Sequence, residues 1–173
     1  LIDSWVRKNS DKKYDYNGEL ATIGKKNEII LEQAQELYRN RFNKEKKSFD
    51  TGDFDISFSR GLSLEDGSAT LTEFTASILA DSLIEIYKDE ISLKEILICG
   101  GGRKNKVLIN SIIKNLSPKV NLKLIDEYGI NGDFVESQAF AFLSIRSYKK
   151  LPITFPTTTN CKQPTLGGEL IEN

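Results

Sequence analysis

The 173-residue sequence has no histidine, no methionine, two cysteines and one tryptophan. Without histidine there is no Ser-His-Asp or Cys-His hydrolase, no His-ligated zinc site and no two-His iron triad. Cys99 and Cys161 are too few for a four-thiolate site and can pair only once. The expectation is a reduced intracellular protein in which Cys99, placed in an apolar stretch, is a buried thiol. No apolar run approaches the roughly 20 residues of a membrane span, and no signal-peptide pattern opens the chain. Lys+Arg number 24 against 25 Asp+Glu, a net charge of −1. That balance gives no electrostatic reason to expect nucleic acid or an anionic membrane as a partner. Chemistry is left to carboxylates, lysine, tyrosine, hydroxyls, backbone dipoles or a bound ligand. Because methionine is missing even at position 1 and the chain opens on "LIDSW", it is expected to be a piece of a longer protein.

What is present fits a soluble globular domain, at 39% hydrophobic and 28% charged residues. The length suits one domain or one lobe. Residues 1–18 begin apolar and turn polar, with Trp5 expected in the core. Ile29, Ile30, Ala34, Leu37 and Tyr38 recur at helical spacing, which predicts a helix over 27–42. The polar stretch 44–55, with its "KEKKS" run, reads as an exposed loop. The strongest helix runs over 63–88, with Ser63 as N-cap and Asp66 three residues on. Its stripe of Leu71, Phe74, Thr75, Ile78, Leu79, Leu83 and Ile86 should cross the core. Thr70, Thr72 and Thr75 are poor helix formers whose hydroxyls are expected to bond back to the preceding turn.

Around the glycines the expected order is helix, strand, helix, strand, helix. Residues 95–99 form a strand, its continuous apolarity suiting cover on both faces. A helix over 103–116 presents Leu108, Ile109, Ile112 and Leu116 to the core. Residues 121–125 give a second strand. That 95–125 unit has the length of a βαβ crossover in an α/β layer arrangement. A Gly- and Asp-rich loop and a helix over 133–148 follow. Pro152 and Pro156 begin a coil, and "TLGGELIEN" is expected to add a short strand.

The candidate site is "EILICGGGRKN", residues 95–105. A glycine without Cβ lets backbone approach a ligand and adopt positive φ. A helix start just after it presents free N–H groups and a positive dipole end, at the carboxyl end of a strand where open α/β sheets bind ligands. A tight turn alone would need one glycine, not three. Gly100 and Gly102 are spaced as in a dinucleotide fingerprint, but Asn105 stands at the third glycine position and Asp126 is the acidic candidate about twenty residues on. The phosphate loop G-x-x-x-x-G-K-[ST] is absent. A second constellation is 126–142, with Asp133 and Glu136 three apart at a helix start. A capping box explains both residues; alternatively Glu136 points into a cleft and binds substrate. Small residues Ser137, Ala139 and Ala141 follow, interspersed with Phe140 and Phe142.

Taken in order, "KKSFDTGDFD", "EDGSATLTEFTA", "GGGRKN", "DEYGINGDFVESQAFAFLSIRS" and "LPITFPTTTNCKQPTLGG" resemble the C-terminal half of bacterial anhydro-N-acetylmuramic acid kinase over essentially the whole chain. That family belongs to the actin, sugar-kinase and heat-shock chaperone superfamily. The resemblance implies a ribonuclease-H-like second lobe of an actin-like ATPase, a mixed sheet flanked by helices, with residues 1–173 forming a single adenosine-side lobe. It implies that Gly100, Gly101, Gly102 and Asn105 contact the adenosine of ATP, and that Glu136, with Asp133 beside it, reaches the sugar. Mg²⁺ is expected on the ATP phosphates, in a cytoplasmic enzyme of peptidoglycan recycling. The implied partners are ATP, a small sugar and the missing N-terminal lobe, with a homodimer of the full-length form allowed.

The implied reaction opens the 1,6-anhydro ether with water and phosphorylates the 6-oxygen. Catalysis of this kind rests on positioning and charge stabilisation, with a carboxylate base activating the water. The family's glycine-rich phosphate loop and its Asp-Thr-Gly-Pro-Gly-Asn segment, which carries the catalytic aspartate, are not in this sequence. The latter precedes an "LID.W" stretch in full-length members, so the chain is expected to start just after it, and Asp3 is given no catalytic role. The "KSFDTGDF" loop lacks the prolines seen before it in many members. A fragment of this kind should fold without catalysing. The rivals are the lobe of another sugar, acetate or actin-like ATPase, and a non-catalytic nucleotide-binding module.

Overall fold

The computed structural model describes residues 1–42, 51–89 and 92–171. It divides into two compact units, 1–124 and 125–173. The "KEKKS" run and the terminal Glu172 and Asn173 fall outside the described residues.

In the first unit, α1 spans Ile2–Asn9, α2 Glu19–Ile23, α3 Glu28–Phe42 and α4 Leu64–Ile86. β1 spans Lys94–Ile98, α5 Lys106–Asn115 and β2 Val120–Leu124. α4 is the axis, with α1, α2, α3 and α5 all packed on it. Ser63 caps it as the sequence predicts, its hydroxyl accepting from Asp66 N at 3.0 Å. The Asp66 carboxylate instead accepts from Lys25 N at 2.8 Å, tying α4 to the chain before α3. The N-terminal half of α4 is buried all round, from Gly67 through Thr72, while Leu79 and Ile86 of the expected stripe are exposed. Thr70 and Thr75 bond back to Asp66 O and Leu71 O, each at 2.7 Å. Thr72 Oγ1 is buried without a partner in the described structure.

Two apolar clusters meet α4. Phe74, fully buried, packs with Leu31, Ala34 and Tyr38 of α3, joined by Phe54 and Phe58. The inward face of α3 is therefore 31, 34 and 38; Ile29 and Leu37 of the predicted stripe point to solvent. The second cluster joins Ala76 to Leu108 and Ile112 of α5, with Ile109, Leu116 and Leu122 against it, the core face predicted for that helix. Trp5 is 4% exposed and donates its indole N–H to Leu64 O at 3.0 Å. Gly67 makes room for that indole: a Cβ there would overlap Trp5 Cε2 and Cζ2 and lie 2.6 Å from Nε1. Gly67→Ala gains about 1 kcal/mol of helix propensity but overpacks a buried aromatic at about 1–3 kcal/mol. It should therefore lower the unfolding midpoint in urea; an unchanged or higher midpoint would mean the indole yields freely.

β1 and β2 pair in parallel, Lys94 with Val120 through Ile98 with Leu124, joined by α5 as a βαβ crossover. Two strands make up the sheet among the described residues. β1 was expected to be covered on both faces, but burial alternates along it. Ile96 turns toward the helices, while Leu97 is 42% exposed and Glu95 pairs with Lys123 at 3.0 Å on the open face. Cys99, just past the strand, is exposed and unpaired rather than buried. The helix after the glycines also starts later than predicted. A 3-10 turn, Gly101–Lys104, intervenes, and Asn105 caps α5.

In the second unit, α6 spans Val135–Tyr148 and α7 Pro156–Thr159. Pro156 opens α7 at its first turn, where its missing N–H costs nothing, rather than starting a coil. The predicted terminal strand is reduced to one antiparallel bridge, Thr154 with Thr165. Ser147 donates to Gly167 O at 2.6 Å and Arg146 Nε to Pro152 O at 2.6 Å, fastening the tail to the end of α6. No residue of α6 is buried, and Phe140 is 62% exposed.

Candidate functional site

The glycine turn follows β1 directly, and its three glycines play different parts. Gly100 adopts φ +81°, a left-handed conformation that favours glycine. Its carbonyl accepts from Arg103 N at 3.3 Å and from the Arg103 guanidinium at 2.9 Å, so the largely buried Arg103 clamps the turn. Gly101 has neither requirement: its φ is not left-handed, and a Cβ there would meet nothing within 4 Å. A Cβ on Gly102 would make only an ordinary contact, 3.7 Å from Leu108. Neither backbone strain nor packing demands glycine at 101 or 102.

Both residues line a cleft of about 690 Å³ within this unit. Asn105 and Lys104 continue the lining, and Tyr14, Asp15, Tyr16 and Asn17 add a second segment. Thr75 also lines it, although its hydroxyl is already bonded to Leu71 O, as does Asp3, which the sequence gives no role. Asn105 is 8% exposed, and its Oδ1 accepts from Leu108 N at 3.0 Å, capping α5.

The 14–17 segment is the part of the cleft that the sequence did not assign. Asp15 is buried, and its carboxylate accepts from Leu20 N at 2.8 Å and Ala21 N at 3.1 Å, anchoring α2. The Tyr14 and Tyr16 rings, both more than half exposed, lie with centroids 6.3 Å apart. The Asn17-Gly18 dipeptide is a turn signal, yet nothing local says which distant turn it meets.

Gly101, Gly102 and Asn105 are thus brought to one cleft, with Gly100 shaping their turn. Glu136 and Asp133 belong to the second unit. The structure rejects the capping box there: α6 starts at Val135, Phe134 occupies the N-cap, and no side chain caps it. Asp133 lies outside the helix, its N–H donating to Asn131 Oδ1 at 3.0 Å. Glu136 is exposed in the first turn, so its carboxylate is not committed to closing the helix end.

Sequence comparison supplies the family. The sequence model described as anhydro-N-acetylmuramic acid kinase matches residues 1–172. The chain belongs to this family. Anhydro-N-acetylmuramic acid kinase of Pelagibacter ubique (strain HTCC1062) is 49% identical over 174 residues, covering 100% of this chain and 46% of the relative. The proteins of that name from Zymomonas mobilis and Rhodospirillum rubrum are 34% and 37% identical, covering 98% and 97% of the chain but 45% and 43% of their own lengths. The chain thus spans less than half the length of the curated relatives it matches. No helix among the described residues is long and apolar enough to cross a membrane.

Proposed function

We propose that this chain is the adenosine-side, C-terminal lobe of a cytoplasmic anhydro-N-acetylmuramic acid kinase, with a ribonuclease-H-like fold, acting in peptidoglycan recycling. In the proposed reaction, water adds at C1 of 1,6-anhydro-N-acetylmuramic acid as the C1–O6 bond breaks. O6 takes the γ-phosphoryl group of ATP, giving N-acetylmuramate 6-phosphate and ADP. A carboxylate outside this chain takes the water's proton, and the phosphate loop also lies outside it.

The observation that carries the proposal is Gly101. It lines the cleft with open space where a side chain would be, in a backbone conformation open to other residues. A glycine that the fold does not need, at the end of a parallel strand, fits a site where a nucleotide must come close to the backbone. No group of three or more Asp, Glu or Cys among the described residues could hold a metal. No residue of this chain is therefore assigned to the Mg²⁺ that accompanies ATP. The proposal is tested by incubating the full-length protein with ATP and 1,6-anhydro-N-acetylmuramic acid and detecting the 6-phosphate. Robust turnover by the 173-residue chain alone would contradict the assignment of essential groups elsewhere.

Glu136 is proposed to hydrogen-bond the sugar, with Asp133 beside it. Because Glu136 caps nothing, Glu136→Gln should leave the melting temperature within about 2 °C while raising the KM for the sugar or lowering kcat by roughly tenfold, about 1.4 kcal/mol. Steady-state kinetics and calorimetry on the same preparation check it. A lower melting temperature with unaltered turnover would make Glu136 structural.

A further inference from the structure

The Asn105 amide is used at one end only. Oδ1 caps α5 through Leu108 N, whereas Nδ2 makes no hydrogen bond among the described residues, and Asn105 lines the cleft while 92% of the residue is covered. Gly18 fixes where this amide sits. Gly18 is buried at φ +79°, and a Cβ on it would overlap Asn105 Oδ1 and stand 3.0 Å from Val107 Cγ2. The fold therefore demands glycine at 18 twice, for conformation and for the contact. The backbone around it is held by the Asp15 bonds to Leu20 N and Ala21 N, and by the Thr22 hydroxyl donating to Gly18 O at 2.8 Å. The 16–18 turn accordingly packs on both α5 and the glycine turn.

We propose that Gly18 is a positioning residue for the nucleotide: its bare Cα seats the Asn105 side chain so that Oδ1 stays on α5 and Nδ2 is presented to an acceptor on the base or ribose of adenosine. This inference rests on the adenosine reading of the cleft. It separates the two ends of one amide, the oxygen serving the fold and the nitrogen serving the ligand. It also makes the 14–18 turn the second wall of the site, built from residues distant in sequence from the glycines.

The test uses the full-length enzyme, with ADP affinity measured by titration calorimetry and KM measured separately for ATP and for the sugar. Gly18→Ala should weaken ADP and raise the KM for ATP at least tenfold, with the KM for the sugar within about twofold. Asn105→Asp retains the oxygen that caps α5 and removes the donor. It should keep the wild-type melting temperature and lose ADP affinity by a similar factor. Unchanged ADP affinity in Asn105→Asp, or in folded Gly18→Ala, would overturn the inference. Gly101→Val distinguishes the two levels. If it leaves ADP affinity intact, the adenosine reading itself fails; if it abolishes binding while Asn105→Asp does not, only the role given to Gly18 and Asn105 fails.

Discussion

Gly101→Val in the full-length protein is expected to raise the KM for ATP at least tenfold, a loss of about 1.4 kcal/mol or more, while moving the melting temperature by no more than about 2 °C. The two halves of that expectation come from the same geometry. The space beyond Gly101 is empty of protein to 4 Å and its φ is not left-handed, so a larger side chain meets no fold-derived penalty. Removing a glycine also narrows the unfolded ensemble, a gain of about 0.4–1 kcal/mol where the backbone tolerates the new residue. The added methyls would instead stand in the cleft that Gly101 lines. Gly100→Ala should behave in the opposite way, because φ +81° strains any residue with a Cβ. Comparing ATP kinetics with calorimetric melting for both variants separates a ligand-facing glycine from a turn-forming one. An unchanged KM for ATP in Gly101→Val would make the whole turn structural.

Phe74→Ala is expected to cost about 3–5 kcal/mol, a large part of the roughly 5–15 kcal/mol that holds an ordinary domain folded. Phe74 is completely buried, and three aromatic rings surround it, with centroids at 5.2 Å for Tyr38, 6.3 Å for Phe54 and 5.0 Å for Phe58. These neighbours come from α3 and from the segment before α4, so the cavity would open where three pieces of chain meet. Aromatic pairs add about 0.5–1.5 kcal/mol beyond their area, which favours the upper part of the range. Calorimetry on the full-length protein should show a melting transition lowered by roughly 10 °C. A shift of only a degree or two would mean that α3 and the 54–58 segment close over the gap.

What the sequence disclosed follows from the range of each signal. α4 and the β1–α5–β2 crossover were legible because long periodic or continuous apolar runs and one capping serine report local structure. α1 went unread: only Trp5 and Val6 of its eight residues are buried, too few to show a period. β1 misled in the other direction. Its apolar run implied two covered faces, but the helices cover one, leaving Leu97 and then Cys99 at the surface. At the site, the glycines could be named from their neighbours in sequence, whereas Asn105 stood where a third fingerprint glycine was missing and was named only through the family resemblance. Gly18 and Asp15 could not, because what matters about them is a contact with α5 and a cap on α2 that only the folded chain creates. Asp133 and Glu136 carried a familiar capping pattern, and the helix simply begins two residues after the first of them.

The most direct measurement is photolabelling of the full-length protein with 2-azidoadenosine triphosphate, followed by mapping of the modified peptides. The azide reports where the adenine ring rests, independently of turnover. Label on residues 101–105 or on Tyr14 and Tyr16 of the cleft, suppressed by excess ATP, is the predicted result. Label that ATP suppresses but that falls only outside these two segments would contradict the assignment of this chain to the adenosine side.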